Sequence, residues 1–147
     1  MRVLAVLLTL PLFLACSGET STPAPADAAE AAEPVMLGSV DLNQPLRAIG
    51  TEPFWAVEIT PATLTYSGVD RPEQAFPSPG PDVQGTTAVY AVETEGEPSI
   101  TVTLMTTECS DGMSDRVYPL TAMVEIGDET LNGCAQSVAA MMADPRP

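Results

Sequence analysis

The residues best suited to chemistry crowd into one short stretch, Cys109-Ser110-Asp111-Gly112-Met113-Ser114-Asp115-Arg116, which sets two carboxylates, two hydroxyls and a guanidinium around a glycine. Clustered oxygens suit a hard cation such as calcium, but the spacing departs from the twelve-residue calcium loop and no bidentate glutamate follows at the required offset. The same residue types also build a turn, with Asp111 and Ser114 bonding nearby backbone amides and Asp115 pairing with Arg116 or another arginine. The pattern favours the turn, and no metal or other cofactor is expected. Asp111 and Asp115 are also the pair that glycan-cleaving chemistry would use, but that needs one raised pKa and a sugar cleft, and nothing in the sequence points to either. With no histidine and no lysine in the chain, a serine has no ordinary base, so catalysis is not expected.

Two aromatic positions are the other candidates for recognition. Trp55, with Glu52 beside it, either lines a ligand groove or serves as the largest core side chain next to a Glu52-Pro53 turn; strand tryptophans mostly pack. Phe76 is the lone aromatic of 69–85, a stretch carrying Pro72, Pro77, Pro79, Pro81, Gly80 and Gly85, too many breakers for a regular element. It either presents Phe76 and Arg71 to a partner or plugs one end of a sheet with the phenylalanine; the second reading is favoured.

What must position these residues is a set of strands. From Leu46 the pattern has period two, broken by turn residues: Leu46 to Thr51, Phe54 to Thr60, Thr63 to Gly68, Thr86 to Thr94, Ser99 to Thr107, Tyr118 to Gly127 and Glu129 to Cys134. Turns fall at Glu52-Pro53, Pro61-Ala62, Glu95 to Pro98 and Gly127-Asp128. The fold class is therefore all-β, a small antiparallel barrel or sandwich of about six to eight strands over residues 46–135, with no helix required. Met36 to Val40 is apolar enough to dock as a first edge strand. In the tail, 136–147, Ser137 is a potential cap for a short apolar turn at Val138 to Met142.

The N-terminus reads as delivery. Met1-Arg2 leads into the apolar run Val3 to Leu14, too short to span a bilayer. Its end, Leu12-Phe13-Leu14-Ala15-Cys16, resembles the bacterial lipobox, in which residues 1–15 are removed and the cysteine is lipidated; an ordinary secretory signal is the alternative. Acyl chains contribute about 0.8 kcal/mol per buried methylene, so the three chains this resemblance implies anchor stably. Ser17 after the cysteine resembles the outer-membrane sorting pattern, which implies an envelope protein facing the periplasm. Residues 16–45, the lipidated cysteine and a Pro/Ala/acidic stretch with little to bury, form a disordered tether reaching on the order of 30 Å. The chain has twenty acidic residues against five arginines, a net charge of −15. Losing residues 1–15 removes Arg2 and no acid, leaving four arginines against twenty acids, or −16. Nucleic acid is excluded as a partner by this surface; a cationic protein or envelope component suits it.

With Cys16 assigned to lipid, Cys109 and Cys134 remain as an even pair in an oxidising compartment, where a disulfide is expected. A two-cysteine metal site lacks histidine to complete it. A loop of about 26 residues closed in this way contributes roughly 3.5 kcal/mol in the chain-entropy picture.

Three segments, Arg47-Ala48-Ile49-Gly50-Thr51-Glu52-Pro53-Phe54-Trp55, Cys109 to Pro119 and Leu131-Asn132-Gly133-Cys134-Ala135, together resemble a family of small bacterial lipoprotein domains of uncharacterised function, sometimes found beside META-type domains. The resemblance implies no activity; it implies that the Gly50 to Trp55 corner and the Cys109 to Pro119 loop are the characteristic features and lie near the disulfide. The candidate interaction surface is Trp55, Glu52, Asp111, Met113, Asp115, Arg116 and Phe76. The leading expectation is a non-catalytic, lipid-anchored binding module of the cell envelope. An inhibitor of a cationic hydrolase such as lysozyme ranks second and a carboxylate-using glycan enzyme third.

Overall fold

The computed structural model describes residues 33–93 and 99–143. The expected signal peptide (1–15), Cys16, the rest of the tether up to residue 32, the turn at 95–98 and residues 144–147 lie outside the described residues.

Nine strands form one antiparallel sheet: β3 (Leu46–Thr51), β4 (Phe54–Ile59), β5 (Thr63–Gly68), β6 (Gln74–Pro77), β7 (Asp82–Gln84), β8 (Thr87–Val92), β9 (Ile100–Met105), β12 (Leu120–Ile126) and β13 (Glu129–Ser137). Two small hairpins stand apart from it, β1 (Met36–Leu37) with β2 (Val40–Asp41), and β10 (Cys109–Ser110) with β11 (Val117–Tyr118). Across the sheet the order is β6-β5-β4-β3-β13-β12-β9-β8-β7. The two edge strands, β6 and β7, are consecutive in the chain and joined only by residues 78–81. A link that short reaches no more than about 17 Å, so the edges must approach each other and the sheet curls into a half-barrel.

The curl encloses the core. Each strand alternates, as β9 illustrates: Ile100, Val102 and Leu104 are fully buried while Thr101 and Thr103 are half-buried on the other face. Across the β12 ladder, Val124 faces Val102 on one side and Leu131 on the other, and Ala122 faces Leu104, so apolar side chains stack on one face. Each Leu, Ile or Val so enclosed contributes about 1.5–3 kcal/mol relative to exposure. Tyr90 lies within this core with its hydroxyl unpartnered among the described residues, and burial pushes its pKa up to about 12.

The all-β fold is as expected, with four corrections to its limits. The folded domain begins before Leu46: Leu37, Val40 and Leu42 are buried in the core, so residues 33–45 belong to the domain rather than to the tether, and the β1–β2 hairpin is not an edge of the main sheet. The proline-rich stretch 69–85 does hold regular structure, β6 and β7, because both are edge strands, where a proline costs no ladder hydrogen bond; Pro77 sits opposite Thr63 at the outer edge. Phe76 is 6 % exposed and opposite Leu64, packed into the core as the favoured reading has it, and so drops out of the candidate interaction surface. The domain also runs past Ala135: Gln136 and Ser137 extend β13 against Arg47 and Leu46, and a helix follows, α1 (Val138–Ala143).

Candidate functional site

The β3–β4 connection makes one corner of the site. The Glu52-Pro53 peptide bond is cis, and the tight turn sets Gly50 opposite Trp55 and Thr51 opposite Phe54. The indole of Trp55 lies so close over Gly50 that a Cβ there would overlap its Nε1 and Cε2 atoms. At Gly133 a Cβ would strike the Ile49 carbonyl oxygen and come within 2.9 Å of Trp55 Cζ2. Two glycines from separate segments thus make room for one indole, a requirement of space rather than of backbone angle.

The Cys109–Cys134 disulfide, Cα–Cα 5.5 Å, joins β10 to β13. Cys134 is on the face of β13 opposite to Leu131 and Ala135, so the bond folds the β10–β11 hairpin onto the outer face of the half-barrel. The tip of this hairpin is organised by Asp111. Its Oδ1 accepts from the amides of Met113 (3.0 Å) and Ser114 (2.8 Å), and its Oδ2 from Ser114 Oγ (2.9 Å) and Tyr118 Oη (3.0 Å). Thr51 Oγ1 donates to the Asp111 carbonyl at 3.4 Å, tying the tip to β3. Burial alone pushes the Asp111 carboxyl upward, but these four hydrogen bonds to its charged form outweigh that and hold it at about 2. Asp111 is therefore a structural anion whose acceptor positions are taken up by its own loop.

At the other end, α1 starts where Val138 N donates to the Pro45 carbonyl (2.9 Å), and Ser137 Oγ accepts from Ala140 N (3.2 Å) as its cap. Between hairpin and helix lies a groove of about 960 Å³. Its floor is the outer face of the sheet, Arg47 and Ile49 from β3, Ala56 from β4 and Ser67 from β5; Met113, Arg116 and Tyr118 stand along one wall and Val138, Met141 and Met142 along the other. Phe54 and Val69, side by side through the Val69 N to Phe54 O hydrogen bond (3.2 Å), also line it. Phe54, Val69, Met113 and Met142 are all more than half exposed.

Of the expected surface residues, the fold brings Asp111, Met113 and Arg116 to this groove; Trp55, 4 % exposed, is a core side chain at the edge of its lining, and Glu52 and Asp115 are exposed outside the lining. Arg71 pairs with Glu129 and stacks over Tyr66 at 5.7 Å, so its role is to brace the sheet. Sequence reasoning missed Arg47, Phe54, Val69, Met141 and Met142. One signal was present: Phe54 is out of phase with Trp55, Val57 and Ile59, which places a large aromatic on the solvent face of β4. No protein-family model matches this chain, and no curated protein or solved structure is detectably similar to it.

Proposed function

We propose that this protein is a non-catalytic binding module, held at the bacterial cell envelope by lipid on Cys16 and facing the periplasm, and that its binding surface is the groove between the β10–β11 hairpin and α1. The observation that carries the reading is the convergence of four exposed apolar side chains, Phe54, Val69, Met113 and Met142, on that one concavity. Exposed apolar groups gathered in a rimmed depression favour a binding role over simple solvation. The absence of histidine and lysine from the sequence, the pairing of Cys109 with Cys134 and the occupied carboxylate of Asp111 all weigh against a nucleophile or a general acid in it. The lipobox-like segment, with the long acidic stretch after it, supports the anchored, periplasm-facing placement.

The test is in-cell photo-cross-linking from Val69, which is 70 % exposed. A reproducible adduct of any class, lost when Phe54→Glu is added to a chain that still folds, is the expected result. No adduct that depends on the groove would overturn the reading. Loss of palmitate labelling in Cys16→Ser checks the anchor.

A further inference from the structure

The charge in the groove runs against the charge of the chain. Twenty acidic residues face five arginines in the sequence, yet two of the three arginines among the described residues, Arg47 and Arg116, line this one concavity. They come from different elements, the floor strand β3 and the hairpin wall. The carboxylate that shares the groove, Asp111, already accepts from two amides and two hydroxyls. A cationic ligand would find those acceptor positions taken. Arg47 is exposed; Glu58 stands opposite it across the β3–β4 ladder, but Arg47 closes no ion pair among the described residues, so its guanidinium remains available to an incoming anion. The rest of the lining is apolar and adaptable. Met113, Met141 and Met142 are unbranched, polarisable side chains that conform to an irregular apolar body, and Phe54, Val69 and Val138 complete the surface. A volume of about 960 Å³ lies near the upper end of the roughly 300–1,000 Å³ typical of small-molecule sites. The floor is the face of a sheet whose backbone is already paired, so it offers no free ladder to an added peptide strand.

We infer that the groove takes a single-chain amphiphile with a carboxylate head, its acyl chain lying among Met113, Met141, Met142 and Phe54 and its head held by Arg47 with Arg116. This rests on the binding reading above and narrows it to one ligand class. Guanidinium and carboxylate match in planar, two-pronged hydrogen bonding, which a lysine could not supply. The like charge of the remaining surface slows the approach of anions, so local capture by the arginines and the apolar walls must provide the affinity.

Trp55 is the chain's one tryptophan; it is 4 % exposed in the core beside the groove lining, so its fluorescence serves as an indirect report and titration calorimetry measures the affinities. The experiment titrates the full-length chain bearing Cys16→Ser, which carries no acyl group of its own, with laurate, dodecyltrimethylammonium and dodecyl maltoside, each below its micellar concentration. The expected result is saturable binding of laurate in preference to both others. Arg47→Gln weakens laurate by roughly ten- to a hundredfold, the loss of a two-pronged charge-assisted contact, and leaves maltoside unchanged; Arg47→Lys recovers part of the loss. Met142→Glu, which puts a carboxylate at the mouth, weakens laurate without lowering thermal stability. Equal or tighter binding of the cationic amphiphile, or laurate binding indifferent to Arg47→Gln, overturns the inference. So does association with phosphatidylglycerol vesicles without binding of monomeric laurate, which would assign the face to a membrane surface. A groove-dependent adduct in cells alongside no laurate binding defeats this inference while the binding reading stands; loss of both defeats the reading itself.

Discussion

Gly50→Ala tests whether the Trp55 corner is built by space. The added methyl would overlap Nε1 and Cε2 of the indole, and Trp55 is only 4 % exposed, so the ring has little freedom to swing away. Overpacking of this kind costs about 1–3 kcal/mol, and the severity of the overlap places Gly50→Ala at the upper end, near 3 kcal/mol. For a domain of this size each kcal/mol lowers Tm by about 4–8 °C, so the variant should melt roughly 12–24 °C below the parent. The obstacle is a side chain, and removing it should remove the cost. In a Trp55→Leu background, whose shorter end can rotate clear, Gly50→Ala should add less than about 1 kcal/mol. Gly133→Ala behaves differently, because its methyl strikes the Ile49 carbonyl oxygen, a backbone atom that Trp55→Leu does not move; its cost should persist in both backgrounds. The assay is urea unfolding of the four-member cycle for each glycine, followed by circular dichroism. If Gly50→Ala costs the same with and without Trp55, the two residues are not in steric conflict and the account of the corner is wrong.

Cys134→Ser should lower stability by about 3.5 kcal/mol through the released loop, and dithiothreitol should shift the urea midpoint of the parent by a similar amount while leaving the variant unmoved. Asp111 is held at about 2 against an unfolded value near 3.8; a carboxyl depressed on folding stabilises fully above its unfolded pKa and loses that support as pH falls through its folded one. The Ser114 amide should therefore lose exchange protection between about pH 4 and pH 2 in the parent, whereas in Asp111→Asn its protection should not change across that window. Tyr90→Phe deletes a buried hydroxyl that has no partner among the described residues, and should be neutral or stabilising by up to about 1–3 kcal/mol in thermal unfolding. A clear destabilisation would mean that the hydroxyl is satisfied in solution.

The period-two pattern located seven of the main strands because burial on one face forces alternation: once Ile100, Val102 and Leu104 are enclosed, the threonines between them must face outward. The two strands that the pattern does not reveal, β6 and β7, lie in the proline-rich stretch, where each proline reads as a breaker. Pro77 is tolerated because β6 has a neighbour on one side only, and being an edge is a property of the finished sheet. Met36 to Val40 is apolar enough to suggest an edge strand, but a stretch this short does not show what it docks against; the half-barrel buries Leu37, Val40 and Leu42 as a hairpin and loop outside the main sheet.

The sequence alone determined the strand alternation, the excess of acid, the pairing of two cysteines and the Asp111 turn, each of which depends on neighbours along the chain or on a count of residues. Only the tertiary structure decided that Arg47 of β3, Phe54 of β4, Arg116 of the hairpin and Met142 of α1 share one groove. That meeting requires the disulfide to fold the hairpin over the outer face and β13 to run on to Ser137 before the helix turns back. Residues about a hundred positions apart are then held together by sheet pairing and a covalent bond, and no local pattern records the distance between them.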